Sequence, residues 1–462
     1  MKVFLVVPRC LSPKQTYREY PLGVGLVATA LRRRGHQVVV HDQAAEGTDD
    51  DSLFDRLGRF QPDVAGFSVI TPSYPVARRQ IGRLKRECPG VRVVAGGVHA
   101  NLFPEDLFAD GADVVVLGQG QRVMPELMDR LNRPETWQDL SGIVFRDRRG
   151  DSVRTPREVP PRPAEDVGVV DRDVYNLPLY THHSMLASLG CPFHCAFCCN
   201  YSGTVLQGAA ADSRGEVHVR ASEQVIGEMR YLVDRYQARD VFFVDDVFLL
   251  SAPHILDFCG QLEREALPIR WIAQMRVDTM SAPVAQAMPS AGCRRVYFGV
   301  ESGSDAILER CGKGLNRAAI REGVQRAKEA GLRVKTGWIF GLPGSLEEQY
   351  ETLPFLRELR PHEVSIHQLI PFPGTDYYNR PAAHGLRIRD PKDFESFCFG
   401  GLGDNVSFDY LPRDRLLELL ERTAAMLESE GYISSDRATA ADEYVYSTPL
   451  SAASMSVFRG GA

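Results

Sequence analysis

The chain has 462 residues, a formal net charge of −6, 44% hydrophobic and 25% charged residues. At about 150 residues per domain it has room for two or three domains with substantial cores, and its composition excludes disorder, collagen and disulfide-dense miniproteins. The 54 basic side chains against 60 acidic ones argue against a nucleic-acid binder that relies on a broad basic surface.

The opening run VFLVV (3–7) is too short for a signal peptide, and no segment approaches the roughly 18 uninterrupted apolar residues of a membrane span. The expectation is a cytoplasmic protein, with no membrane or nucleic-acid partner, whose thiols stay reduced. Arg accounts for 47 of the basic residues and Lys for 7, which reads as coding composition; Arg32–Arg34 reads as a solvated helix end.

In chain order, VFLVV (3–7) predicts a strand and Gly23–Arg34 a helix stopped by Gly35. Short valine-rich strands follow at 38–41, 64–70, 91–97 and 113–118, with helices near 51–60, 75–88, 104–109 and 122–131. Such βαβ alternation predicts a doubly wound parallel sheet over residues 1–132. Residues 133–182, with PPRPAED at 160–166, read as a linker holding at most one hairpin (Ile143–Arg149, Val153–Arg157). From 183 a second series begins, with strands at 184–190, 240–246, 269–275, 294–300, 332–340 and 363–370. Its helices fall near 222–236, 253–265, 281–290, 316–330 and 346–359. Six β/α units without a dinucleotide-binding glycine fingerprint predict a partial barrel over 183–390, with ligand residues at the C-terminal strand ends. A helix over Arg413–Gly431 and a flexible tail from 432 make up the C-terminal region, 391–462.

Four of the ten cysteines fall within nine residues, Cys191 to Cys199. Cys191, Cys195 and Cys198 form C-x3-C-x2-C directly after the first strand of the second series. Structural zinc needs four closed ligands, and only three are suitably spaced here. A [4Fe–4S] cluster usually takes four thiolates. Three would leave one iron open to a substrate or cofactor, the arrangement chemistry would want. His194 reads as a loop side chain, Cys199 stays unassigned, and the six scattered cysteines read as small buried hydrophobes.

With Phe197 before its last cysteine, this motif on a β/α barrel resembles the radical S-adenosylmethionine (SAM) superfamily. The resemblance implies that the open iron chelates the amino and carboxylate groups of SAM. Cleavage of SAM by one electron then gives a 5′-deoxyadenosyl radical that abstracts hydrogen from a substrate carbon. It implies a SAM amino-group contact at Asp245 and Asp246 in FVDD, a charge-assisted bond. Arg276 in MRVD would hold the SAM carboxylate or a substrate anion, and Glu301 in FGVESG the ribose or methionine part. Gly337 and Gly341 in GWIFGLPG would let backbone approach the cofactor, and Gln368 closes the series at the sixth strand.

Residues 21–38, 66–77, 95–107 and 113–121 resemble the cobalamin-binding domain that precedes many radical SAM barrels, with strand-end loops at the sheet's C-terminal edge where a planar cofactor would lie. The D-x-H-x-x-G motif that supplies a cobalt-binding histidine is absent, and the usual Gly-x-Gly-Glu reads Gly118-Gln119-Gly120-Gln121. A domain that binds cobalamin and one that keeps the fold and only caps the barrel both stay open. With cobalamin, the resemblance implies C-methylation of a small molecule in antibiotic or other natural-product biosynthesis. Without it, the implied chemistry is radical dehydration of an aminosugar diol, as in aminoglycoside dehydratases. A non-catalytic iron–sulfur or cobalamin sensor is the alternative from another class. An electron donor such as flavodoxin or ferredoxin is the expected partner.

Overall fold

The computed structural model describes residues 1–10, 19–131, 137–147, 149–156, 168–199, 217–397, 405–438 and 442–448. Among these, contacts divide the chain into two units, one ending at His182 and the other starting at His183.

The first unit alternates β1 (Lys2–Val7), α1 (Leu22–Arg33), β2 (Gln37–Asp42), α2 (Asp50–Phe60), β3 (Val64–Ser68) and α3 (Tyr74–Glu87). It continues with β4 (Arg92–Gly96), α4 (Pro104–Ala109), β5 (Val114–Val116) and α5 (Gly120–Arg130). The α1 helix stops where Gly35 takes φ +81° and its N–H returns to the Arg32 carbonyl at 2.9 Å. The α2 helix starts because the Asp49 carboxylate accepts from Ser52 N–H at 2.9 Å. Sheet order is β2-β1-β3-β4-β5-β6-β7, the last two strands being Ile143–Arg146 and Ser152–Arg154. The first five strands pair in parallel. Strands such as β5 are buried at every position, because helices cover both faces of the sheet.

The segment expected to be a linker is part of this unit. Strands β6 and β7 form the predicted hairpin and extend the sheet, β6 pairing antiparallel with β5. Residues 168–182 then strap the unit together. The fully buried Arg172 donates to Tyr20 Oη at 3.0 Å and to the Val170 carbonyl at 2.6 Å, and Tyr175 Oη donates to the Pro21 carbonyl at 2.6 Å. Gly25 of α1 is the space for this strap, since a Cβ there would stand 2.7 Å from Val170 and 2.9 Å from Tyr175 Oη. The composition of the segment is linker-like, while its burial comes from long-range bonds that no local period reveals. The PPRPAED stretch itself lies outside the described residues.

In the second unit, β8 (His183–Met185) is followed by β9 (Ser188–Leu189), which pairs antiparallel with β10 (His218–Val219). Then come α6 (Ser222–Tyr236), β11 (Asp240–Phe243), α7 (Ala252–Glu265), β12 (Arg270–Met275), α8 (Ala282–Ser290) and β13 (Cys293–Glu301). They are followed by α9 (Asp305–Arg310), α10 (Arg317–Glu329), β14 (Arg333–Phe340), α11 (Thr352–Leu359) and β15 (Glu363–Gln368). Strands β8 and β11 to β15 form the predicted six-stranded parallel set. On the helix side, Val241, Trp271, Phe298, Trp338 and Ile366 share one core. The opposite face carries Tyr297, Lys335, Ser365 and His367, so burial along β13 alternates rather than running continuously.

After the β16–β17 hairpin (Leu386–Ile388, Val406–Phe408) and α12 (Arg413–Ser429), the tail departs from the flexible segment expected. Short strands β18 (Ile433–Ser434) and β19 (Val445–Ser447) join the barrel sheet beside β15, and Tyr432 and Tyr446 are buried. The residues from 449 onward lie outside the described part. No helix among the described residues is long and apolar enough to cross a membrane.

Candidate active site

The cysteine motif occupies the loop that leaves β9, and three anchors fix its backbone. Asp245, at the end of β11, accepts from Ala187 N–H at 3.0 Å, from Ser188 N–H, and from Ser188 Oγ at 2.6 Å. Further along, Ala196 N–H donates to the Cys311 carbonyl at 2.9 Å, and the Ala196 carbonyl accepts from Tyr377 N–H at 3.3 Å. Gly312, at φ +69°, lies against the same loop; a Cβ there would stand 3.1 Å from the His194 carbonyl oxygen.

These contacts correct one expectation. Asp245 is 1% exposed and its carboxylate is saturated by the chain entering the cysteine loop, so it positions that loop. Burial pushes its carboxyl up to about 7, against the pull of the Ser188 and Ala187 donors. Its neighbour Asp246 is exposed at the same strand end.

Arg276 is also committed. Its guanidinium binds Asp278 at 3.1 and 3.0 Å and the Lys313 carbonyl at 2.9 Å, and lies 3.5 Å from the centre of the Phe193 ring. It joins the end of β12 to the 311–314 turn and to the cysteine loop, instead of presenting a free fork to a carboxylate. Glu301 takes φ +71°, a left-handed conformation rare for a residue with a Cβ, and pairs with Lys313 at 2.8 Å. Lys313 Nζ stands 6.0 Å from the centre of the Phe197 ring. Burial disfavours the Lys313 ammonium, but Glu301 and Cys195 outweigh it and hold its pKa above the ordinary value.

The chain neighbours of two more predicted residues meet the loop at the far side. Leu342 and Leu369, one residue beyond Gly341 and Gln368, pack with Ala196, Ile307 and Cys311 in one cluster against Phe197. Gly341 (φ +89°) presents its carbonyl to Tyr410 Oη at 2.8 Å. Gln368 is 5% exposed, and its amide Nε2 has no hydrogen-bond partner among the described residues. Gly337 serves a different end from the one expected. A Cβ there would stand 2.6 Å from Tyr297 Oη, so the glycine makes room for that ring.

The structure thus brings Cys191, Cys195, Phe197, Arg276 and Glu301 to one place, with Gly341 and Gln368 bordering it. Cys191 and Cys195 are half-buried and Cys198 is exposed. Among the described residues no group of three His, Cys, Asp or Glu side chains is gathered as a metal site, so the three thiols share an anchored loop but not a common point. Burial raises the pKa of Cys191 and Cys195; beside Cys195 the Lys313 and Arg276 cations pull the other way. Thiol donors on one anchored loop beside two fixed cations are suited to an anionic iron–sulfur centre. Lys313 was not anticipated from the sequence. Its signal is a rare lysine in Cys-Gly-Lys-Gly, twelve residues after Glu301.

In the first unit, loop backbone lines the C-terminal sheet edge. Ile70 there is 42% exposed, the one exposed large apolar side chain among the described residues. Beside it, Val69 O accepts from His99 N–H at 3.0 Å and Gly118 N–H donates to Asn101 Oδ1 at 2.9 Å. Both histidines near this edge are inward: His41 sits between Glu46 (3.1 Å) and Thr48 (3.0 Å), and the His99 ring stacks 4.1 Å from Tyr74. The start of the edge, residues 11–18, lies outside the described part.

Comparison with known proteins agrees with this division. Residues 11–128 match the B12 binding domain and residues 185–356 the radical SAM superfamily. An uncharacterized methyltransferase of Pyrococcus horikoshii is 29% identical over 403 residues, 84% of each chain. The anaerobic magnesium-protoporphyrin IX monomethyl ester cyclase of Rubrivivax gelatinosus is 23% identical, covering 82% of this chain and 68% of its own. Among solved structures, the radical SAM methyltransferase TsrM of Kitasatospora setae, with cobalamin and a [4Fe–4S] cluster bound, superposes with a TM-score of 0.72. That match covers 92% of this chain and 88% of the other at 21% identity.

The protein is a radical SAM enzyme. Within that class it is one that carries a B12-binding domain ahead of the radical SAM domain, with a fold of the radical SAM methyltransferase type.

Proposed function

We propose that this enzyme is a cobalamin-dependent radical SAM methylase that places a methyl group on an unactivated carbon of a small molecule in natural-product biosynthesis. The observation that carries the reading is the union of a B12-binding and a radical SAM domain in one chain that aligns over most of its length with a methyltransferase. Cys191, Cys195 and Cys198 hold a [4Fe–4S] cluster on the anchored loop. Bound together, cluster, SAM and cobalamin supply a 5′-deoxyadenosyl radical and a transferable methyl group.

The chain's own residues do the positioning. Asp245 sets the direction in which the loop leaves the sheet, and Arg276 with Lys313 and Glu301 sets the charge beneath it. The Gln368 amide, buried without a partner among the described residues, fits an acceptor atom of SAM; an unmet buried donor costs about 1–3 kcal/mol until something accepts from it. Asp246, exposed at the end of the second barrel strand, receives the SAM ammonium. In the first unit Ile70 offers an apolar surface to the cobalamin plane, and the inward His41 and His99 leave cobalt without a histidine from these positions.

The test is anaerobic reconstitution with iron, sulfide and hydroxocobalamin, followed by desalting and incubation with dithionite and methyl-labelled SAM. The expected result is retained cobalamin absorbance together with 5′-deoxyadenosine. Deoxyadenosine without retained cobalamin overturns methylation in favour of a radical outcome without methyl transfer. Absence of deoxyadenosine overturns the site assignment itself.

A further inference from the structure

The loops that follow β3, β4 and β5 meet at the C-terminal edge of the first sheet, and the short helix Val98–Leu102 ties them together. Its entry is Gly97, where φ is +98° and a Cβ would stand 2.6 Å from the Val69 carbonyl oxygen. Glycine lets the backbone pass this close to the loop after β3. His99 N–H then donates to the same Val69 carbonyl at 3.0 Å. Asn101, 3% exposed, makes the link to the third loop. Its Nδ2 donates to the Gly97 carbonyl at 2.7 Å, and its Oδ1 accepts from Gly118 N–H at 2.9 Å. Gly118 takes φ +74°, so the chain turns sharply between β5 and α5 where Asn101 holds it.

The held loops carry two features that other described residues do not satisfy. Ile70, after β3, is an exposed apolar side chain. Gln119, next to Gly118, has its amide oxygen Oε1 buried with no hydrogen-bond partner among the described residues. An apolar contact and an unmet acceptor on one sheet edge suit a ligand with a broad apolar face and amide N–H groups at its rim. Cobalamin has that chemistry. A loop that must be ordered as its ligand arrives weakens binding, whereas a loop already held does not.

We infer that Asn101 is a positioning residue: by bridging the Gly97 and Gly118 turns, it holds the cobalamin edge of the first unit in its binding shape before the cofactor arrives. This rests on the cobalamin dependence proposed above. The bridge needs a side-chain amide, because one end donates to a carbonyl while the other accepts from an N–H. Neither turn then shifts without the other.

The test is Asn101→Ala in the full chain, beside wild type and Thr29→Val. The readouts are thermal melting without cofactor, hydroxocobalamin affinity by absorbance titration, and hydrogen exchange over residues 117–120. Thr29 is the control because its Oγ1 also makes two bonds, but in α1: it donates to the Gly25 carbonyl at 2.7 Å and accepts from Asp171 N–H at 2.9 Å. Both variants should lose some stability. Asn101→Ala should bind cobalamin roughly tenfold more weakly, the order expected when a loop is ordered on binding, and should exchange faster at 117–120. Thr29→Val should keep wild-type affinity and exchange there. Unchanged affinity in Asn101→Ala overturns the inference, and so does unchanged exchange at the Gly118 turn. An equal loss of affinity in Thr29→Val overturns it too, because general destabilisation would then account for the effect. If Asn101→Ala does not fold, Asn101→Asp gives the same readouts with a smaller expected loss, since it keeps the acceptor for Gly118 N–H and loses the donor to Gly97. If wild type itself takes up no cobalamin, the proposed function fails, while exchange at 117–120 still shows whether Asn101 holds the turn.

Discussion

The two sheets start from the same βαβ pattern and put their chemistry in different places. In the first, helices cover both faces, strands such as Val114–Val116 are apolar throughout, and only the loops at the C-terminal edge are left to meet a ligand. In the second, one face packs on helices while the other carries Arg295, Tyr297, Lys335, Glu363, Ser365 and His367. The first sheet can offer a cofactor mainly backbone and an apolar contact. The second can offer side chains along the whole length of its strands. The contrast predicts that matched substitutions in the two units will have unequal effects.

The largest difference is expected between two lysines. Lys313 pairs with Glu301 where both side chains are about nine-tenths buried, at 10% and 11% exposure. Lys85 pairs with Asp113 at 30% and 38% exposure. Lys313→Met leaves a carboxylate buried and unpaired and should cost about 3–5 kcal/mol, whereas Lys85→Met should cost about 0–1 kcal/mol. Urea unfolding of both variants decides it. Adding Glu301→Gln to Lys313→Met should restore most of the lost stability. Equal costs for the two lysines would dissolve the contrast.

A second difference lies in pH. Burial lowers the pKa of His367 to about 4, with Lys335 pushing the same way. Because the folded pKa lies below the unfolded one, the neutral ring's full contribution is present above about pH 6.5 and is lost as pH falls toward 4. The loss amounts to roughly 3 kcal/mol by linkage. His41 in the first unit is also lowered by burial, but Glu46 opposes the shift. Thermal melts from pH 4.5 to 7.5 should show His367→Asn flattening the acid limb, and His41→Asn flattening it less. A His367→Asn variant that loses stability with acid as steeply as wild type would remove this ring from the account.

How much of this was legible in the sequence follows from the same contrast. The strands and helices of both units could be read because apolar runs and helical periods are local signals. The cysteine loop could be read because spacing is local as well. Asp245 and Arg276 could be placed at their strand ends, but sequence does not reveal the bonds that Ser188 and Asp278 make to them. Lys313, Tyr377 and the strap from Arg172 to Tyr180 depend on partners far away in the chain, and so does the pairing of Val445–Ser447 with β15. Composition made the strap look like linker and the last strands look like tail.

The smallest expected difference is between two tight glycines. A Cβ at Gly66 in β3 would stand 2.6 Å from Leu5 Cδ2, and one at Gly337 in β14 would stand 2.6 Å from Tyr297 Oη. The distances match but the obstacles do not. The Leu5 methyl ends a flexible side chain in an apolar layer and can swing to another rotamer. The Tyr297 ring is half-buried on the polar face, with the Lys335 ammonium 5.0 Å from its centre, and it shares that face with Ser365, which contacts His367 at 3.0 Å and Ser447 at 3.2 Å. Moving the ring would disturb its contact with Lys335 and the packing of the polar face around it. Gly337→Ala should therefore cost toward the upper end of the ~1–3 kcal/mol typical of overpacking, and Gly66→Ala toward the lower end. Gly337→Ala should also perturb Tyr297, read as a change in tyrosine near-ultraviolet circular dichroism that Gly66→Ala does not produce. If the first-sheet variant proves the costlier, the apolar sheet is the more rigid of the two, and the polar face is not an organised network.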